Sequence, residues 1–238
     1  MTCPSLQGSV TGSETHVKPF AVMIGIAILT GEIFLSPAVL ANNTGWFVAA
    51  DAGQSRFTNI GPYGSPVYPD SFNSTDNSYR LASGYWLNPY FGLEAGYVHF
   101  GAVTGSYMNP GSPICGIVCA ESYIVNADLK THGWILELVG AYPFNARWAI
   151  FARAGEIAAD SELNANYTPI APYYCLFCEN TSTTSSDVDV TYGMGLRWSF
   201  ANHWAARLSW DRYVSLGYKL PVDGFNINLA SIGVVYEF

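Results

Sequence analysis

Apolar residues alternate with polar or small ones through most of the chain after residue 41. That two-residue period marks β-strands whose two faces meet different environments. Eight segments carry it, at about 46–54, 79–87, 90–100, 130–142, 148–157, 188–200, 203–213 and 225–238. The clearest sets Val188, Val190, Tyr192, Met194, Leu196, Trp198 and Phe200 against Asp189, Thr191, Gly193, Gly195, Arg197 and Ser199. No segment beyond residue 41 has an amphipathic helical period. The connectors alternate in length. Short ones fall at Asn88-Pro89, at 143–146 and at Ala201-Asn202; long ones, rich in Ser, Thr, Asn, Gly and Pro, run at about 55–78, 101–129, 158–187 and 214–224.

Short turns alternating with long loops is the pattern of an outer-membrane barrel, and an even strand count puts both barrel termini on the short-turn side. Aromatic placement agrees. On the apolar face, Trp46, Phe91, Tyr142, Trp148, Trp198, Phe200, Trp204, Tyr236 and Phe238 lie at the short-turn end. Tyr79, Tyr97, Trp134, Tyr192 and Trp210 lie nearer the long loops, with aliphatics between the two groups. Two aromatic rings flanking an apolar band are what membrane interfaces select. Lipid also requires closure, because an open sheet edge there leaves backbone groups unpaired. The expected fold is therefore all-β: an eight-stranded, antiparallel, up-and-down transmembrane β-barrel, preceded by a signal peptide. The rival is a soluble lipocalin-like barrel, which places the Trp-rich face inside.

Composition supports the membrane assignment. Of 238 residues, 15% are aromatic and only 12% charged, where soluble domains carry about 25% charge. A net charge of -8 supplies no basic patch for nucleic acid. The one long apolar stretch, about Phe20 to Leu35, is interrupted by Glu32 and is shorter than the roughly 20 residues of a spanning helix. Lys18 precedes it and Val39-Leu40-Ala41 follows, as in a cleavable export signal. This divides the chain into a leader, 1–41, and a barrel domain, 42–238, destined for the outer membrane of a Gram-negative bacterium.

The second face of the strands is mostly Gly, Ala, Ser and charges. It carries Arg80, Glu94, Glu137, Arg153, Arg197, Arg207, Asp211 and Glu237. An eight-stranded barrel is only wide enough inside for side chains, and unpaired charges there cost several kcal/mol each, to order of magnitude. These eight are expected to form an interior ion-pair network without a continuous pore; the functional alternative is a charged channel lining. Four cysteines remain after the leader, Cys115, Cys119, Cys175 and Cys178. An even count in an exported chain points to disulfides, with three connectivities open. A zinc or redox Cys-x-x-Cys site is the rival.

The pattern resembles the OmpA-like transmembrane domain family over nearly all of residues 45–238. The resemblance rests on Gly45-Trp46-Phe47-Val48, on the run from Arg80 to Tyr97 (RLASGYWLNPYFGLEAGY), and on the closing Gly233-Val234-Val235-Tyr236-Glu237-Phe238. It implies inward core charges at Arg80, Glu94, Glu137 and Arg153, and a terminal Phe238 read by the outer-membrane assembly machinery. The chain ends at Phe238, so no peptidoglycan-binding domain is expected and cell-wall anchoring is not carried over. Cysteine-bearing loops are not a general trait of the family.

Catalytic and metal chemistry has little support. His99 and His132 share the apolar face at the long-loop ends of adjacent strands, where they could contact lipopolysaccharide phosphates or help form a hydrolase site, but plain interfacial side chains explain them better. No Ser stands at triad spacing from either. Asp187-x-Asp189 and Asp160-x-Glu162 offer too few ligands for a divalent cation. No catalytic residue, metal site or cofactor is expected. The expected partners are the bilayer, lipopolysaccharide, the assembly machinery and an extracellular or host ligand at the loops. The alternatives in function are a narrow channel for small solutes and a lipid-modifying enzyme dependent on the His pair.

Overall fold

The computed structural model describes residues 44–60, 71–109, 123–169, 180–220 and 224–238. The expected leader, 1–41, and all four loop cysteines, Cys115, Cys119, Cys175 and Cys178, lie outside them. The strands are β1 (Gly45–Thr58), β2 (Ser71–Asn73), β3 (Thr75–Trp86), β4 (Phe91–Asn109), β5 (Tyr123–Pro143), β6 (Trp148–Pro169), β7 (Thr181–Ala201), β8 (Trp204–Leu216) and β9 (Phe225–Glu237). Every pairing is antiparallel. The eight long strands pair each with its neighbour in the order β1-β3-β4-β5-β6-β7-β8-β9, and β9 pairs back onto β1 to close the barrel. The three-residue β2 pairs with β4 at Thr104–Ser106, beyond the end of β3. Among the described residues no helix is long and apolar enough to cross a membrane.

Two of the short turns share a device. Asn88 Oδ1 accepts the Tyr90 and Phe91 N–H groups at 2.8 and 2.9 Å. Asn145 Oδ1 accepts those of Arg147 and Trp148, both at 2.8 Å. An Asn carbonyl two to three residues ahead of the next strand thus replaces the ladder where the chain reverses.

The apolar face points outward. Trp46, Trp134, Leu136 and Ile232 are each more than 60% exposed, while their strand neighbours Phe47, Ile135 and Gly233 turn inward. That excludes the lipocalin-like alternative, in which this face is the core.

Two features depart from the reading of the sequence. The strands at the loop end are longer than the apolar alternation suggested: β5 begins at Tyr123, β6 runs to Pro169 and β7 begins at Thr181. These extensions alternate in the opposite sense, with Asp160, Glu162 and Asn166 exposed and Ala159, Ser161, Leu163 and Ala165 buried. Their Ser, Thr and Asn content resembles loop composition. The inward face is also not only small residues and charges. Above and below the charged residues it carries large apolar side chains, including Phe100, Ile157 and Ile227 toward the loops and Phe47, Trp86 and Phe151 toward the short turns.

The band between the aromatic rings should tolerate a lipid-facing charge poorly. Leu208→Arg, outward on β8 and 59% exposed, is expected to lower unfolding stability in liposomes by about 2–4 kcal/mol. Thr184→Arg, outward on the β7 extension, should change it by less than ~0.5 kcal/mol. Equal effects in urea titrations would place the bilayer elsewhere on the barrel.

Candidate functional site

Six of the eight charges singled out in the sequence converge in the middle of the barrel: Arg80 on β3, Glu94 on β4, Glu137 on β5, Arg153 on β6, and Arg207 and Asp211 on β8. All are buried. The other two, Arg197 and Glu237, form a separate pair nearer the short turns, Nη2 to Oε1 at 2.5 Å, with the guanidinium 5.7 Å above the Trp86 ring. The residue missed in the sequence is Asp51. It occupies an inward position of β1 between Ala49 and Gly53, so parity alone could have supplied it.

The network is built from one motif used twice. Arg153, Gly193 and Asp211 are successive cross-strand partners on β6, β7 and β8. Arg207, Gly233 and Asp51 are the same on β8, β9 and β1. In each, the arginine reaches over the glycine to grip the aspartate with two parallel bonds. Arg153 Nε and Nη2 donate to Asp211 at 2.6 and 2.5 Å, and Arg207 Nε and Nη2 donate to Asp51 at 2.7 and 2.5 Å. This fork geometry is the strong form of the ion pair. The glycines leave the space for it, because a Cβ on Gly193 or Gly233 would lie 1.9 Å from the aspartate Oδ1.

Glu94 and Glu137 present a different problem, since they are direct cross-strand partners of like charge. Arg80 resolves it from one nitrogen: Nη2 donates to Glu94 Oε1 and to Glu137 Oε2, both at 2.5 Å. Arg207 Nη1 adds a bond to Glu94 at 3.0 Å, and Thr191 donates its hydroxyl to Glu137 at 3.2 Å. Arg153 stands 3.9 Å from Glu94 and 3.8 Å from Glu137, joining the two halves. Three guanidiniums thus face four carboxylates, Asp51 included. Burying charges this deeply is tolerable only when each is paired and hydrogen-bonded.

The other candidates lie apart. His99 and His132 are cross-strand partners on the outer face, ring centroids 6.4 Å apart, among Tyr79 and Tyr97. His99 is the cross-strand partner of Tyr79 in the outer aromatic ring. His203 contacts the Glu237 carbonyl at 2.8 Å in a short turn. Asp187 pairs with Lys219 at 3.0 Å, and Asp160 accepts from Ser186. Asp189, on the loop side of Tyr192, is pushed up to about 6 by burial and by Asp187, with Lys219 opposing. Among the described residues no three metal-type ligands gather. Phe238 is held beside β1 by its N–H donating to the Trp46 carbonyl at 3.0 Å.

A closed eight-stranded barrel with an apolar outside, two aromatic rings and a charged, filled middle defines an integral outer-membrane β-barrel. The chain belongs to the OmpA-like transmembrane domain family, whose model matches residues 41–238. It is similar to outer membrane protein A of Serratia marcescens, 25% identical over 227 residues covering 93% of this chain and 56% of that protein. Outer membrane protein A of Klebsiella pneumoniae is also 25% identical, over 87% of this chain and 54% of that protein. The chain therefore spans about half the length of these curated relatives. Among solved structures it is similar to the attachment invasion locus protein Ail of Yersinia pestis (TM-score 0.46, 13% identity, 82% of this chain and 99% of that one). The N-terminal barrel of Pseudomonas aeruginosa OprF matches comparably (TM-score 0.44, 14% identity, 82% and 99%). The protein resides in the outer membrane.

Two outcomes follow from this geometry. Arg207→Met strands Asp51 and weakens the hold on Glu94, and should cost about 3–5 kcal/mol; Gly233→Ala, whose methyl meets both the Asp51 carboxylate and the Ala50 backbone carbonyl, should cost about 1–3 kcal/mol. The midpoint of the heat-induced mobility shift on unboiled gels ranks them. Asp189 binds its proton more tightly folded than unfolded. Its contribution is therefore complete below about pH 4, its ordinary range, and is lost as pH rises through about 6. Asp189→Asn should flatten the wild-type fall in urea midpoint over that window; parallel profiles would remove Asp189 from the account.

Proposed function

We propose that the barrel is a filled, non-conducting scaffold that holds a surface-interaction platform above the outer membrane. The observation that carries this reading is the layering of the interior. The network of Arg80, Glu94, Glu137, Arg153, Arg207, Asp211 and Asp51 lies between two buried apolar clusters. The loop-side cluster includes Val98, Phe100, Ile135, Ile157, Tyr213, Ile227 and Leu229, and the turn-side one Phe47, Trp86, Val139, Phe151 and Val235. A solute crossing the barrel must break paired charges and displace both layers. Beyond the outer aromatic ring, β5 and β6 continue as a wall with a largely polar outside, joined by β7 past Val190 and Val188, which suits display of the loops to solvent.

Several further readings belong with this proposal. Residues 1–41 act as the export signal. Cys115, Cys119, Cys175 and Cys178 clip the loops through disulfides. β9 and the Phe238 that follows it are the segment presented to the assembly machinery.

Planar-bilayer recording of the purified protein tests the central claim. The expected trace stays at baseline, and stays there in Arg80→Ala with Arg153→Ala, because the apolar layers above and below the network still fill the barrel. Reproducible single-channel steps from the wild type would assign it instead to narrow solute transport.

A further inference from the structure

The outward face of β8, β9, β1 and β3 changes character just beyond the outer aromatic ring. Arg212, Asn228 and Arg56 are successive cross-strand partners on β8, β9 and β1, and all three lie on the outward face of the wall. Gln54 precedes Arg56 by two positions on the same face, and its partner on β3 is Asn77. The ring residues Trp210 and Tyr79 lie one outward step below Arg212 and Asn77, toward the short turns. Below the polar row the wall carries the small side chains Ala230, Ala52 and Ala50.

Neither guanidinium has a hydrogen-bond or ion-pair partner among the described residues. No described carboxylate shares the face. Asp51 and Asp211 are committed inside the barrel to Arg207 and Arg153. Asp76 is engaged with backbone, its carboxylate accepting from Ala102 and Asn77. Strands stand about 4.8 Å apart, so two strand spacings separate the arginine backbones. That span lets two long side chains converge on one anion, with amide donors beside them.

We infer that Arg56 and Arg212, with Gln54, Asn77 and Asn228, form a binding site for the phosphate of an outer-leaflet glycolipid, the lipid A portion of lipopolysaccharide. Depth and direction select a lipid over a soluble polyanion. The row points sideways from the wall, directly above the interfacial ring, at the level where lipid headgroups lie. The arginines supply planar forks suited to phosphate oxygens, and the alanines below give an acyl chain a shallow track. The opposite wall above its ring residue Trp134 carries His99, His132 and Glu156, and its one lysine there, Lys130, is paired with Asp128 at 3.3 Å, so two unpaired arginines face outward together only on this side of the barrel. The inference does not depend on whether the barrel conducts.

The test places the purified protein in phosphatidylcholine nanodiscs doped with deep-rough lipopolysaccharide carrying both lipid A phosphates, or with the same lipid after phosphatase treatment. Lipid retained per barrel is read by native mass spectrometry. Wild type should retain the phosphorylated lipid and lose most of it after dephosphorylation. Arg56→Gln with Arg212→Gln should weaken retention by about tenfold or more. The double Lys variant should keep part of it, and Arg147→Gln, in a short turn, should keep all of it. Each variant must show the heat-induced mobility shift of a folded barrel. Equal retention by wild type and the double Gln variant, or indifference to dephosphorylation, overturns the assignment. So does displacement by millimolar inorganic phosphate, which would make this a free-anion site. Loss of heparin binding in the double Gln variant with lipid retention intact would make it a surface for soluble polyanions.

Discussion

Hydrocarbon offers the peptide backbone no hydrogen bonds, and most of this architecture follows from that. Any strand inside a bilayer must have both edges paired, so the first strand, β1, has to meet the last, β9, across a sheet otherwise built from neighbours in sequence. Closure through β1–β9 removes the last free edges. It also turns the protein inside out relative to a soluble domain. Large apolar side chains are on the outside because lipid accepts them, and the interior is left to whatever fits a narrow tube.

What fits is a stack of layers, and the charged layer does more than fill space. A buried ion pair is weak evidence for net stability, but here it specifies register. Arg153 and Arg207 each reach across a glycine to an aspartate one strand beyond. Sliding one strand by a single residue would send an arginine into lipid and put a side chain where Gly193 or Gly233 leaves room. The two motifs share β8, which carries Asp211 of one and Arg207 of the other. Four consecutive strand pairings, from β6 round to β1, are therefore locked together. Arg80 performs the complementary task across β3, β4 and β5 by keeping Glu94 and Glu137 compatible.

The fold was legible in the sequence because the membrane enforces a strict period. Strand number, turn positions, outward aromatics and the parity of Arg80, Glu94, Glu137, Arg153, Arg207 and Asp211 all follow from alternation. Partner choice was not legible, because it depends on which residues the barrel's stagger brings level. Arg197 and Glu237 have the right parity and still stand apart from the central network. Asp51 passed unnoticed as a lone charge among alanines and glycine, although its parity was plain. Strand ends were misjudged for a different reason. Apolar-outward alternation marks a strand only where lipid lies outside, and it stops where water begins although the strand continues.

That change of sense is itself informative. Along β6 the outward positions run Ile150, Ala152, Ala154 and then Glu156, Asp160, Glu162, Asn164 and Asn166, with Ala158 alone interrupting the polar stretch. The inward positions turn from Arg153 to Ile157, Ala159 and Leu163 over the same stretch. The pleat does not slip; only the environment on each side changes. On β1 the same crossing falls between Ala52 and Gln54 on the outside, and between Asp51 and Phe57 on the inside. A polar side chain just past this crossing is held at headgroup height by a rigid, fully paired strand, whereas one on a loop is free to seek water. Placement of Arg56 and Arg212 there is thus a consequence of where the wall changes solvent, and it gives two outward-facing cations, Arg56 exposed and Arg212 half-buried, a fixed depth and direction that sequence parity alone does not convey.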